Sequence, residues 1–410
     1  MLSQLDTQTF LVSLNPREAA LDNGRRQELI GVYRDGLLED TMPFWEKHAP
    51  DRECGGFMTF LDAAGSVVST DKPMWVIGRI TWLFARLYNA VENRKEWLEF
   101  AASGIAFLRK YGFDSDGRMF YSVTRDGQPL RKRRYLFTES FAVIALAEYA
   151  KAAGDDSARQ EACDLYRLMI RHHTTPGLLE PKAIPETRQL KSHAMPMIVL
   201  ATTQVLRQID DDSFYEEIID NSIGEVADHF LKPEYKVLLE NVGPDGEFVD
   251  QPDGREVNPG HAIETAWFIM EEALHRQKDS GLVDLACQIL DWSLDFGWDE
   301  TYGGLLYFKD CKGYPNPRYE HDMKLWWPHN EAIYATLLAY HVTGDIMYIK
   351  WHEKLHDWAY AHFPDQVNGE WYGYLHRDGS LASTLKGNMW KGPFHLPRMQ
   401  LNCWKLLERM

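Results

Sequence analysis

Apolar side chains return every three to four positions through most of this chain, then stop at glycine, proline or a cluster of polar residues. The period is helical in roughly 22–47, 74–91, 94–111, 137–153, 155–174, 191–209, 212–231, 260–277, 279–297, 323–343, 346–363 and 391–409. Twelve helices are expected. They fall into two kinds. The segment holding Phe137, Phe141, Ile144 and Leu146 is apolar nearly all round and belongs inside, whereas 155–174 is charged on one side and belongs outside. Glycines followed by apolar or aromatic residues recur at Gly56, Gly117, Gly177, Gly246, Gly304 and Gly369, about 60 residues apart, long enough for two helices and a loop. Six pairs with alternating inner and outer helices predict an all-α fold, an (α/α)6 barrel, and residues 1–410 read as one domain. Asp-Gly pairs at 116–117, 126–127, 245–246 and 378–379 predict tight turns in the glycine-marked loops. Those loops are expected at one end of the barrel and the inner-helix N-termini at the other.

Two inner-helix starts carry unusual chemistry. Asn258-Pro-Gly-His-Ala-Ile-Glu264 sets His261 and Glu264 three residues apart, and Gly392-Pro-Phe-His-Leu-Pro-Arg398 does the same with His395 and Arg398. That spacing stacks side chains on one helical face. The partial positive charge of a helix N-terminus disfavours imidazolium, so both histidines are expected to be neutral bases near pH 7. Among 15 histidines, most fill structural or surface positions, but these two stand out by context. Lys324-Leu-Trp-Trp-Pro-His-Asn-Glu331 offers Lys324, Trp327 and Glu331 as a cation, an aromatic platform and a carboxylate on one helical face, a set that suits a sugar; core packing and a buried ion pair are the plainer alternatives. Arg79 is a charge inside the apolar run Trp75–Trp82, so it must face a cavity or a carboxylate. His193 also begins an inner helix, without a charged companion at helical spacing, and stands evenly between site and structure.

Composition narrows the field. A net charge of −17 argues against nucleic acid or an anionic membrane as partner, and Arg131-Lys-Arg-Arg134 is too short a basic run to reverse that. The five cysteines are scattered, with no Cys-x-x-Cys pair, so neither a disulfide framework nor a zinc site is signalled. Met1-Leu-Ser-Gln-Leu-Asp6 lacks the features of a secretory signal, and no run approaches a membrane span; a cytoplasmic protein is expected. No phosphate-binding loop is present, Lys386–Gly392 resembling one only faintly, and no His-Glu-x-x-His cluster supports a metal. The 14 tryptophans suit an aromatic-lined cavity as well as a core.

Asn258–Glu264, Met323–His329 with Glu331, and Gly392–Arg398 resemble, in order and separation, the three signature segments of the N-acylglucosamine 2-epimerase family, and the resemblance runs through nearly the whole chain. It implies an (α/α)6 barrel, interconversion of N-acetyl-D-glucosamine and N-acetyl-D-mannosamine, and His261 and His395 as acid/base groups. Arg79, Glu264, Glu331 and Arg398 would line the pocket, with Trp327, Lys324 and His193 as further substrate contacts. No cofactor is required on this reading. Relatives in the superfamily epimerise cellobiose or isomerise mannose, but Ala262-Ile263 and Trp326–His329 look more like the acylglucosamine branch. The family also implies a homodimer, an adenine nucleotide (ATP) as effector, and, in mammalian members, renin binding.

Inverting C2 of a ring-opened sugar means removing a proton from one face and returning one to the other, which suits two bases better than one. One histidine would abstract and the other donate across a planar enediolate, with Arg79 on the oxyanion. Two rival readings use the same residues. A glycoside hydrolase would use Glu264 and Glu331 as its carboxylate pair, leaving the histidines unexplained; a non-catalytic sugar-binding protein would bind without exchange at C2.

Overall fold

The computed structural model describes residues 21–179, 184 and 186–410. The N-terminal stretch read above for a targeting signal lies outside them. Helices α1 (Asn23–Asp35) and α2 (Met42–His48) run as one through a π-helical stretch, Gly36–Thr41. There follow α3 (Met74–Ala90), α4 (Lys95–Tyr111), α5 (Phe137–Ala153), α6 (Asp156–Thr174), α7 (Ala194–Leu206), α8 (Phe214–Glu225), α9 (Pro259–His275), α10 (Ser280–Gly297), α11 (Trp326–Thr343), α12 (Ile346–His362) and α13 (His395–Arg409).

Burial sorts them into layers. Helix α11 is buried on every side from Trp326 to Ala339, whereas α6 buries only the stripe Ala158, Ala162, Cys163, Leu165, Tyr166, Met169 and Ile170. Helices α3, α5, α7, α9, α11 and α13 each pack on the next and form the inner ring. Phe394, just before α13, closes that ring against Trp82 of α3, with ring centroids 5.3 Å apart. The fold is the expected all-α barrel, an (α/α)6 arrangement, with one adjustment to the pairing. The chain starts in the outer layer, so α1 packs on α13 and the last inner helix is covered by the first outer one. Gly78 permits the tight α3–α5 contact: a Cβ there would lie 2.9 Å from the Phe141 carbonyl.

The two ends of the barrel differ. Inner helices pass to outer ones by short links, as at Gly154-Asp155 and Gly344-Asp345, where each glycine is left-handed and each aspartate caps the next helix. Outer helices return to inner ones through long loops carrying small antiparallel hairpins, such as Ser122–Val123 with Pro129–Arg131 and Tyr374–Leu375 with Leu381–Ser383, and neighbouring loops are joined by pairing of Lys72–Pro73 with Ser122–Val123 and of Lys324–Leu325 with Tyr374–Leu375. The marking glycines sit in these long loops. They therefore share an end with the inner-helix N-termini, correcting the sequence expectation that placed them at opposite ends. An outer helix delivers the chain where the next inner helix must begin, so the connector and that N-terminus cannot be apart.

A repeated ion pair locks these loops. Asp51, Asp299 and Asp365 each follow an outer helix, accept backbone bonds within a turn closed by Gly55, Gly303 and Gly369, and bind a buried lysine ahead of an inner helix. The pairs are Lys72–Asp51 at 2.8 Å, Lys324–Asp299 at 3.0 Å and Lys386–Asp365 at 3.0 Å. Lys324 thus has a different place from the one its spacing suggested. Helix α11 starts at Trp326, so Lys324 lies in a strand before it, off the Trp327–Glu331 face.

Candidate active site

A cavity of about 1250 Å³ follows the barrel axis, lined chiefly by the inner helices and the loops at their N-terminal end. His261, Glu264, Trp327, Arg79, His395 and Arg398 border it. Glu331 does not: it is buried behind His395 and Arg398, which corrects the expectation that it lines the pocket. Nor do His193 and Lys324. Lys324 is fully enclosed, donating to Asp299 and to the Gly304 carbonyl, and burial lowers its pKa to about 8. His193, 1 % exposed, packs behind the wall, where its Nε2 meets Thr265 Oγ1 at 3.0 Å. Both correct the sequence expectation of substrate contacts: the apolar inner face is filled by their neighbours, and their polar atoms are taken by protein partners.

His395 and His261 each have a carboxylate behind them. His395 Nδ1 lies 2.6 Å from Glu331 Oε1, and His261 Nδ1 lies 3.0 Å from both oxygens of Glu240. With Nδ1 engaged, Nε2 is left for a ligand in each case. Asn258 caps α9 by accepting from the His261 amide at 3.1 Å, which fixes the turn that carries the imidazole. Trp327 serves both, its ring 5.0 Å from that of His261 and 5.6 Å from that of His395.

The charges beneath are cross-connected between helices. Arg398 Nη2 donates to Glu264 at 2.5 Å and to Glu331 at 2.7 Å, and Trp267 Nε1 donates to the other Glu331 oxygen at 2.8 Å. Glu264 is therefore the partner of Arg398, not of the histidine one turn before it on its own helix. Glu264, Glu331 and His395 present ligand atoms within 4.8 Å of one another, a geometry open to a cation, and Arg398 supplies one. Because both carboxylates accept from that guanidinium, neither is placed to give a proton to a glycosidic oxygen, which weakens the hydrolase reading.

Arg79 is held differently. Its guanidinium carbon lies 4.1 Å from the ring of Phe141, 4.3 Å from Trp75 and 4.6 Å from Phe394, and its Nε has no hydrogen-bond partner among the described residues. Burial lowers its pKa and Arg398 adds to that, against the pull of Glu264, yet a guanidinium remains protonated. A cation caged by π faces and bordering a cavity is suited to an incoming negative charge.

The two histidines are not alike, contrary to the expectation of two neutral bases. Burial and then Arg79 hold His395 well below the ordinary imidazole range, against the pull of Glu264. At His261 burial also favours the neutral form, but Glu240 outweighs it and raises the pKa. The helix N-terminus is common to both and so cannot separate them; the neighbouring charges do. Glu240, Phe394 and Phe141 were missed as site residues. Glu240 leaves one trace in the sequence, a charge ending the apolar run Val237-Leu238-Leu239.

A double-layered helical barrel with two carboxylate-backed histidines over its axial cavity belongs among the sugar isomerases of this architecture. The family model described as N-acylglucosamine 2-epimerase (GlcNAc 2-epimerase) matches residues 55–395, and the chain belongs to that family. It is 34 % identical to the N-acylglucosamine 2-epimerase of Bos taurus, covering 94 % of both chains, and 25 % identical to the cellobiose 2-epimerase of Bacteroides fragilis, covering 90 % of this chain and 96 % of that one. The solved structure of cellobiose 2-epimerase from Bacillus thermoamylovorans B4167 superimposes with a TM-score of 0.81 at 22 % identity, covering 94 % of this chain and all of that one, and shares the fold.

Proposed function

We propose that the protein interconverts N-acetyl-D-glucosamine and N-acetyl-D-mannosamine by moving a proton at C2 of the ring-opened sugar. The observation that carries this reading is the unlike pair of histidines sharing Trp327, with His395 neutral and His261 inclined to hold a proton. The higher identity to the mammalian acylglucosamine enzyme than to a cellobiose epimerase supports the acylated substrate.

His395 Nε2 takes the proton as the C2–H bond breaks, and the electron pair moves through C1 onto the aldehyde oxygen. With nitrogen on C2, the planar intermediate is an enolate, where a sugar with a hydroxyl on C2 would give an enediolate. Arg79 faces the new oxyanion. His261 Nε2 then delivers its proton to C2 from the opposite face, which inverts that carbon. Glu331 steadies the imidazolium formed at His395, and Arg398 holds Glu331 and Glu264 in place.

The test is proton NMR in heavy water with N-acetylmannosamine, mannose and cellobiose in parallel. Loss of H2 from the acylated sugar with growth of its 2-epimer is the expected result; exchange confined to mannose or cellobiose would move the substrate to a sister branch, and silence on all three would refute the reading. A cytoplasmic homodimer responsive to ATP belongs to the same proposal on family resemblance, and sedimentation with and without ATP tests the last two parts.

A further inference from the structure

Glu240 occupies a position that the proposed reaction leaves without a role. It comes from the long loop between α8 and α9, and its backbone is fixed on both sides: its carbonyl accepts from the His193 amide at 2.9 Å and its amide donates to the Glu256 carbonyl at 2.9 Å. Lys191–Ser192 and Asn241–Val242 pair as strands beside it. The residue is thereby clamped between the starts of α7 and α9. Its carboxylate, 8 % exposed as a residue, lies between two imidazoles: both oxygens are 3.0 Å from His261 Nδ1, and one is 3.8 Å from His193 Nδ1. His193 is anchored in turn by Thr265, one turn beyond His261 on α9.

No comparable arrangement backs His395, whose carboxylate is shared with Arg398 and Trp267. A carboxylate already bonded to a guanidinium has less to offer an imidazolium than one whose neighbours are histidines. We propose that Glu240, held by His193, is the positioning residue that sets His261 as the proton-donating member of the pair, by fixing its Nδ1–H on the carboxylate and its Nε2 toward the sugar. This rests on the two-histidine reading above. The other charged groups around His261 are Glu264 on its own helix, Arg134 from the loop before α5, and His395 across Trp327. Around Glu240 stand His193, Glu256 and Tyr307. Arg134 works against the proton on His261 and Glu264 works for it, while Glu240 alone of these bonds to the ring.

Two measurements on the full-length protein test this. In ¹⁵N imidazole NMR of the ligand-free wild type, with His261 assigned by loss of its signals in His261→Asn, the neutral ring should carry its proton on Nδ1 and titrate above the ordinary ~6.5. In Glu240→Gln that titration should fall by about one pH unit or more, as expected on removing an opposite charge at contact. In the pH profile of kcat/KM, the alkaline limb should move down by the same amount while the acid limb, set by His395, stays. A neutral wild-type ring protonated on Nε2 would overturn the proposal, and so would a uniform loss of rate in Glu240→Gln with both limbs unmoved. The wild-type tautomer can be read even if that variant does not fold. If the wild type exchanges no C2 proton on any sugar, the enzymatic reading fails, and the NMR titration still decides the role of Glu240.

Discussion

Replacing Lys324 with methionine separates a scaffold residue from a substrate contact. Methionine keeps the length and loses the charge, so two bonds go: Nζ to Asp299 at 3.0 Å and to the Gly304 carbonyl at 3.2 Å. What remains limits the damage. Asp299 still receives two bonds from Arg377, at 2.8 and 3.1 Å, and one from the Thr301 amide at 3.0 Å, while Gly304 still accepts from the Asp299 amide. The loss should therefore resemble one charged hydrogen bond, about 1.5–3 kcal/mol. Lys72→Met should match it, because Arg125 backs Asp51 as Arg377 backs Asp299. Lys386→Met should cost more, about 3–5 kcal/mol, because Asp365 has Asn368 and backbone amides but no guanidinium. Urea unfolding at pH 7.5 would rank the three variants, with C2-exchange kinetics on the folded Lys324→Met protein beside it. Wild-type stability with a raised KM in Lys324→Met would return Lys324 to the sugar, and equal losses at all three sites would refute the part given to the arginines.

Glu331→Gln keeps the shape but weakens the hold on His395 and Arg398; losing about 1.5–3 kcal/mol from a charged bond predicts a fall in kcat of roughly 10- to 100-fold, measurable by polarimetry. Gly260→Ala would put a Cβ 2.7 Å from the Trp327 ring, so the indole shared by both histidines must shift, and C2 exchange should drop with a stability loss of about 1–3 kcal/mol by calorimetry. His329, His352 and His356 are buried and held neutral chiefly by burial, with pKa values lowered to about 3, 4 and 3. Their folded values lie below the unfolded ~6.5, so the unfolded chain takes up protons first. Stability is then full above pH 6.5 and should fall as pH drops toward 4, by about 1.4 kcal/mol per unit for each histidine; urea midpoints across pH 4–8 check this, and a flat profile would count against it.

How far the sequence carried depends on what kind of signal each residue leaves. Helical periodicity is repeated over many residues, so all twelve helical stretches appear near their expected places, and the layer of each follows from how much of its surface is apolar. Site residues on inner helices were legible for a related reason: a charge such as Arg79 or Glu331 inside an apolar helix conflicts with its surroundings. Residues in connectors have no such background. Glu240 lies in a loop where charge is ordinary, and only the folded backbone shows that it meets His261. Lys324 failed in the opposite way, since the helical wheel was extended two residues past the true start of α11. The pairing of Arg398 with Glu264 and Glu331 joins three helices, and spacing within one helix carries no information about such partners.

The charges of the site form a near-balanced set, which bears on how a carbon acid can lose its proton there. Arg398 offsets part of the charge of Glu264 and Glu331, and Glu240 faces His261 and raises its proton affinity. Arg79 has no carboxylate bonded to it among the described residues. In the proposed step a neutral sugar and a neutral His395 become an anion and a cation, a separation that costs heavily in a buried setting unless both charges meet partners already in place. The enolate would meet Arg79, and the new imidazolium would remain bonded to Glu331 through the Nδ1 contact present beforehand. Neither partner has to be recruited, so the electrostatic work was done when the chain folded. The same balance explains the low proton affinity of the resting His395. The guanidinium that would stabilise the enolate also repels a proton from His395, and formation of the sugar anion would lift that restraint as the proton arrives.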